Sequence, residues 1–226
     1  MSISLLWIIV NYILTFVSAV IPTPQTHDFL TFFERANQLK SVPRFSASLL
    51  KEADTVPEHS WRLALMTSLI GNEFKHKMDI QHAVAIALVH DLAESLTGDI
   101  DVYDAITKKL SREEKKESEE HAMAQITSGI SFGKTIYDLW QEYEEQKTLE
   151  AKFVKALDKI EAFLHLSQCA PGAYGPKEFH ANYGDKAVRA FDDAMGEHPK
   201  LFAMLESVKH TLRERFEKEG VAWVED

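Results

Sequence analysis

The chain has 226 residues, 45% of them hydrophobic and 27% charged, with a formal net charge of -10, the make-up of one compact globular domain. The acidic surplus speaks against a nucleic-acid partner, because phosphate backbones are held by clustered Lys and Arg. The single cysteine, Cys169, excludes an intrachain disulfide scaffold and fits a reducing, cytoplasmic setting.

Residues 1–25 stand apart from the rest. Leu5 to Ile21 is almost uninterrupted apolar, broken only by Asn11, Thr15 and Ser18, close to the lower limit for spanning a bilayer. The segment reads either as a membrane anchor or as an extension outside the catalytic domain. It makes a poor signal peptide, since no Lys or Arg precedes it and Ser18-Ala19-Val20 is a weak cleavage site. Pro22 and Pro24 punctuate the chain, and the globular domain is expected from residue 26 to residue 226.

From there the pattern is helix after helix. Phe29, Phe32, Phe33, Ala36 and Leu39 recur at helical spacing, followed by a loop from Pro43 to Pro57. His59 to Phe74 carries Leu63, Met66, Leu69 and Ile70 on one side. Ile80 to Leu96 is apolar nearly all round, as expected of a central buried helix. Ser111-Arg112-Glu113-Glu114 has capping-box spacing and opens a charged helix to about Ser128. Helices are expected over Ile136–Gln146 and from Leu149 to about Gln168. After the Pro/Gly-rich stretch Pro171–Pro176, two short helices reach Glu217, broken at Gly196 and Pro199. No strand pattern and no repeat is visible. The expected fold class is all-α, an irregular multi-helix bundle of roughly seven to ten helices.

The chemistry sits on that scaffold. His90-Asp91 ends the apolar run Ala83–Val89, His59 lies upstream, and Asp158 lies within a later helix. Imidazole nitrogens with carboxylate oxygens suit Mn²⁺, Co²⁺, Fe²⁺ or Zn²⁺, whereas an all-oxygen set favours Mg²⁺ or Ca²⁺. Glu94 falls four residues after His90 and three after Asp91, on their face of a helix. A carboxylate there can deprotonate a water or protonate a leaving oxygen, the division of labour of a metal hydrolase. Thr97-Gly98-Asp99 is a turn that holds another carboxylate over the same mouth. Each residue taken alone also fits a plain structural role: a buried His is commonly hydrogen-bonded core, and Asp158 can pair with Lys155 or Lys159.

Three stretches carry a family resemblance: Glu58-His59-Ser60-Trp61-Arg62-Leu63-Ala64; Ala87-Leu88-Val89-His90-Asp91-Leu92-Ala93-Glu94-Ser95-Leu96-Thr97-Gly98-Asp99-Ile100; and Lys155-Ala156-Leu157-Asp158-Lys159-Ile160-Glu161-Ala162. Together they resemble the HD-domain phosphohydrolases, and within them the 5'-deoxynucleotidase branch. The resemblance implies a fold of the HD-domain type, with His59, His90, Asp91 and Asp158 as ligands of one divalent transition metal. It implies that Glu94 is the acid/base carboxylate. Asp99 would line the sugar side of the pocket or, with Glu94 and the Ile100 carbonyl, hold a second, weaker cation such as Mg²⁺. Arg44 matches the family's phosphate-binding arginine, and Phe45 stands where members of this branch often place Trp against the sugar. Branches with two bridged metals need two further histidines between the His-Asp pair and the last Asp, and here only His121 lies there. His76, His82, His121 and His165 read as structural, with His165 near enough to Asp158 to reach the pocket rim.

The implied activity is phosphate release from (deoxy)ribonucleoside 5'-monophosphates. Two alternatives stay open: another phosphate ester or nucleoside polyphosphate as substrate, and a non-catalytic metal or nucleotide sensor, perched on a membrane through residues 5–21. Exposed apolar helices suggest a homodimer. Trp140, Tyr143 and the stripe Phe202, Leu205 and Val208 suit either core or interface.

Overall fold

The computed structural model describes residues 23–51, 53–107, 111–196 and 200–225. The apolar run Leu5–Ile21, with its expected role as anchor or extension, lies outside the described residues. Among the described residues, no helix is long and apolar enough to cross a membrane.

Side-chain caps set several helix starts by satisfying amides that have no partner in the first turn. Thr23 accepts from the Thr26 amide at 3.1 Å and opens α1 (Pro24–Ala36). Thr55 and Glu58 form a capping box at the head of α2 (Val56–Gly71), with the Thr55 amide donating to Glu58 at 2.8 Å. Asp79 caps α3 (Ile80–Val89) by accepting from the Gln81 and His82 amides. Two short helices follow, α4 (Glu94–Thr97) and α5 (Val102–Thr107). Ser111 caps α6 (Arg112–Thr127), accepting from the Glu114 amide at 3.3 Å as the sequence spacing predicts. Next come α7 (Gly133–Glu145) and α8 (Leu149–Gln168), the latter capped by Thr148. The chain finishes through β1 (Glu178–His180), α9 (Asp185–Met195), α10 (Lys200–Glu219) and β2 (Ala222–Val224).

Three expectations are corrected. The apolar run Ile80–Leu96 is not one central helix: it stops at Val89, turns through His90–Ala93, and restarts as the single turn α4. Leu88 in this run is 56% exposed. The central helix is α8, where Ala151, Phe153, Val154, Ala156, Leu157 and Ile160 are fully buried; burying a side chain such as Phe153 is worth about 2–3 kcal/mol. The second correction is the parallel pair β1–β2, with Phe179 opposite Trp223. Three-residue strands are too short to show an alternating pattern. The final helix α10, expected to be short, runs for 20 residues.

Two hydrophobic clusters fill the bundle. The larger draws on α2, α3, α8, α9 and α10, and includes Tyr143 and Leu205, with Phe202 and Val208 packed on it. The smaller gathers Phe32, Leu92, Met123, Ile126 and Trp140 from α1, α6, α7 and the turn after α3. Trp140, Tyr143 and the α10 stripe are therefore core. The His90–Ala93 turn lies where the two clusters meet, with Ala87 in one and Leu92 and Ala93 in the other.

Candidate metal centre

Three elements aim side chains at one point. α2 supplies His59 one turn after its capping box, the turn closing α3 supplies His90 and Asp91, and the middle of α8 supplies Asp158. His59 and His90 are buried. The Nε2 atoms of His59 and His90 lie 3.3 Å apart. Asp91 Oδ2 is 3.0 Å from His90 Nε2 and 3.6 Å from His59 Nε2, while Asp158 Oδ1 is 3.3 Å from His59 Nε2. His90 and Asp91 sit at the very end of α3, with His90 still in helical conformation, and both reach the same point from there.

The rings are held so that Nε2 faces inward. His90 Nδ1–H donates to the Ala87 carbonyl at 2.9 Å, and His59 Nδ1–H donates to the buried carboxylate of Glu161. Fixing one ring nitrogen as donor leaves the other as lone pair, the arrangement that orients metal-binding imidazoles. His59, His90 and Asp158 each place a donor atom within 4.8 Å of the others, and Asp91 Oδ2 adds a fourth acceptor against both imidazoles. They need a positive charge between them. A divalent metal about 2.0–2.2 Å from each donor spaces neighbouring donors roughly 3.0–3.6 Å apart, so the residues present fit it. Without one, a proton takes that place: burial and Arg44 press the His59 pKa down, yet hydrogen bonds to Asp158 and Glu161 lift it to about 9.

Asp158 is steadied further. Tyr143 donates its hydroxyl to Asp158 Oδ2 at 2.9 Å, and the Lys159 ammonium pairs with the same oxygen at 3.1 Å. Burial alone would raise the Asp158 carboxyl, but Lys159 and His59 hold it well below the usual carboxylate range. The lysine pairing that offered a plain structural role is thus present and compatible with ligation through Oδ1.

Glu94 opens α4 beside this cluster. It is buried, and its Oε2 has no hydrogen-bond partner, a costly state that calls for an unseen partner. Burial first, then the charges of Asp91 and Asp99, push its pKa well above the ordinary value. Asp99 lies in the loop after α4, and burial, with repulsion from Asp91, lifts it to about 6 against the pull of Arg44. Ile100 follows on the same loop, partly buried.

Arg44 is buried in the loop before α2, where Nη1 pairs with Asp54 at 3.1 Å and Glu161 at 3.3 Å. Its guanidinium carbon sits 4.7 Å from the centre of the Phe45 ring. Phe45 holds φ at 56°, a left-handed conformation that is rare for a bulky residue and clusters at functional sites. Its ring stacks on His165 at 5.1 Å. His82 pairs with Glu142 at 2.7 Å, and His76 and His121 are exposed.

Sequence reasoning gave Glu161 no role, yet Glu161 is the hub behind the centre. It is fully buried, receives His59 and Arg44 on Oε2, and receives Arg62 Nε on Oε1 at 2.6 Å. Burial would raise its pKa, but His59, Arg44 and Arg62 bring it to about 2. A signal existed: Glu161 is three residues after Asp158 and Arg62 three after His59, each on the face of its ligand.

Comparison with known proteins now gives the class. The HD domain family profile matches residues 36–190, and the chain belongs to the HD-domain family. It is 34% identical over 184 residues to the human (Homo sapiens) protein named 5'-deoxynucleotidase HDDC2, covering 80% of this chain and 84% of the relative. It is 40% identical over 189 residues to the Dictyostelium discoideum protein of the same name, covering 79% and 94%, and 32% identical over 182 residues to the Saccharomyces cerevisiae 5'-deoxynucleotidase YBR242W, covering 76% and 73%. Among solved structures, a predicted metal-dependent phosphohydrolase from Magnetospirillum magnetotacticum superposes with a TM-score of 0.69 at 22% identity, covering 89% of this chain and 100% of the other. The Pyrococcus horikoshii PH0347 protein superposes at 0.58 with 21% identity, covering 80% and 99%. These two likenesses show a shared all-α fold, which the family match names as the HD fold.

Proposed function

We propose that the protein is a metal-dependent phosphohydrolase that releases phosphate from nucleoside 5'-monophosphates, deoxyribonucleotides first. The observation that carries the reading is the convergence of His59, His90, Asp91 and Asp158 on one point beside a carboxyl with an unpaired buried oxygen, Glu94 Oε2. The names of its relatives supply the substrate class.

The four donors would hold one divalent metal, and their mixed nitrogen and oxygen set favours Mn²⁺, Co²⁺, Fe²⁺ or Zn²⁺. Such an ion lowers the pKa of a water toward neutrality and draws charge from a phosphoryl oxygen. Arg44, with Nη1 engaged by Asp54 and Glu161, offers its remaining N–H groups to the phosphate as a preset fork. Glu94, kept protonated by its surroundings, donates to the 5'-oxygen as the P–O bond to the sugar breaks. The bond from water oxygen to phosphorus forms on the opposite side, and the water's proton returns to Glu94. Asp99 faces the sugar. Alternatively, with both carboxyls ionised, Glu94, Asp99 and the Ile100 carbonyl would hold a second, weaker cation such as Mg²⁺.

A panel of ribo- and deoxyribonucleoside 5'-monophosphates, nucleoside triphosphates and other phosphate esters tests the reading. Preferred release from deoxynucleoside 5'-monophosphates is expected; preferred turnover of another ester would replace the substrate assignment. The homodimer expected from sequence stays a proposal. Exposed Trp61, Leu65 and Leu69 on α2 and Leu88 on α3 are the apolar surface in its favour, and molar mass in solution decides it.

A further inference from the structure

Asp158 turns only one of its oxygens to the centre. Oδ1 is the atom that faces His59 Nε2 at 3.3 Å, while Oδ2 takes the Tyr143 hydroxyl at 2.9 Å and the Lys159 ammonium at 3.1 Å. A carboxylate has about four lone-pair sites, shared equally by its oxygens, so two donors fill Oδ2. Lys159 is fixed in its turn by the Tyr183 hydroxyl, 2.7 Å from its Nζ.

The direction of the tyrosine bond is also set. Lys155 Nζ lies 3.0 Å from the Tyr143 oxygen and 4.2 Å from the centre of its ring. An ammonium can only donate, so the Tyr143 oxygen accepts from Lys155 and its own hydrogen is left to point at Asp158. The same ring stands edge-on to His90, with centroids 4.9 Å apart. One buried side chain therefore touches two of the four donor residues. The turn between α7 and α8 puts it there. Gln146 ends α7 in the left-handed region at φ 50°, and Thr148 both caps α8 and donates to Glu142 at 2.6 Å, which folds Tyr143 back onto a residue 15 positions later.

The count of donor oxygens matters to an ion that must also hold its reactants. Two imidazoles and two single carboxylate oxygens leave about two places on a six-coordinate ion. Carboxylates bind through one oxygen or through both, and a second oxygen from Asp158 would take one of those places. Resting on the metal-dependent reading above, we infer that Tyr143, aimed by Lys155, is a positioning residue that confines Asp158 to one donor oxygen and so keeps a place on the ion open for water and phosphate.

The test counts the waters on the ion in the Mn²⁺-loaded protein, from the relaxation enhancement of water protons, beside Mn²⁺ binding measured by calorimetry. Tyr143→Phe keeps the ring against His90 and removes only the hydroxyl. It is expected to bind Mn²⁺ with the enhancement roughly halved, as Oδ2 moves onto the ion. Lys155→Met, at a partly exposed position, keeps the hydroxyl but frees its direction, and is expected to lower the enhancement less. A tyrosine with a packing role alone gives a different sign, because a loosened centre holds as many waters as before, or more. An unchanged or raised enhancement in Tyr143→Phe overturns the inference while leaving the metal centre intact. A decrease confined to Tyr143→Phe overturns the part given to Lys155. If Tyr143→Phe does not fold, Lys155→Met decides alone, and an unchanged or raised enhancement there overturns the inference. No Mn²⁺ bound by the unmodified protein overturns the metal-dependent reading itself, and the inference falls with it.

Discussion

The two sides of the centre are built in opposite ways. On the α8 side every carboxylate is matched: Asp158 meets Tyr143, Lys159 and His59, and Glu161 meets His59, Arg44 and Arg62, and both are held strongly acidic. On the α4 side Glu94 and Asp99 crowd Asp91, and burial and like-charge repulsion raise them against the pull of Lys115 and, on Asp99, of Arg44. Opposite pKa shifts in adjacent carboxylates separate roles. The satisfied side fixes ligands in place, and the frustrated side keeps a proton to give.

Substitutions on the two sides should therefore fail differently. The largest effect is expected for Asp91→Ala, which removes a donor common to both histidines: metal content should fall below stoichiometry and turnover by about 10³-fold or more. Glu94→Gln should keep its metal and lose about 10²–10⁴ in kcat, the usual worth of a general acid. Metal analysis of both purified variants separates them; a metal-free Glu94→Gln would erase the contrast.

Glu161→Gln sharpens the same comparison from behind. It leaves a hydrogen-bond acceptor for His59 but removes the charge that Arg44 and Arg62 share, so metal affinity should drop about 10- to 100-fold and KM should rise more than kcat falls. Breaking so buried an ion cluster should also cost about 3–5 kcal/mol of stability, measured by denaturant unfolding of the metal-loaded protein.

The smallest effect is the pH response of the stripped protein. Asp99 titrates at about 6 in the fold against an ordinary value of 3.8, so the folded state binds the extra proton. Its contribution to stability is complete below about pH 4 and is lost as pH rises through 6. Asp99→Asn should flatten that decline and stabilise the stripped protein at pH 8 by about 1–2 kcal/mol after allowance for solvent screening. Unfolding midpoints at pH 4 and pH 8 check the sign, and an Asp99→Asn protein with an unchanged pH slope would refute it.

Much of this was legible in sequence because the information is local. Thr55 with Glu58, Asp79, Ser111 and Thr148 each sit one residue before a helix and cap it, so starts could be read within a few residues. The donor residues were legible because His-Asp after an apolar run is chemically unusual. What escaped reading is set by tertiary packing. Nothing local shows that α3 stops at Val89, or that α8 and not the more apolar run holds the middle of the bundle. Glu161 looked like another charge on a helix until His59, Arg44 and Arg62 arrived from 99 to 117 residues away in sequence. Phe33 and Leu69 fit an apolar stripe by spacing yet stand more than 60% exposed, because spacing names a face and not its partner.

The most direct test of the central claim is phosphate release from deoxynucleoside 5'-monophosphates by the protein stripped of metal and then reloaded with Mn²⁺, Co²⁺, Fe²⁺ or Zn²⁺. Four acceptors that need a cation predict negligible release when stripped and recovery at one bound ion per chain. Release by the stripped protein at the reloaded rate, or none from any nucleotide with the ion bound, would contradict the account.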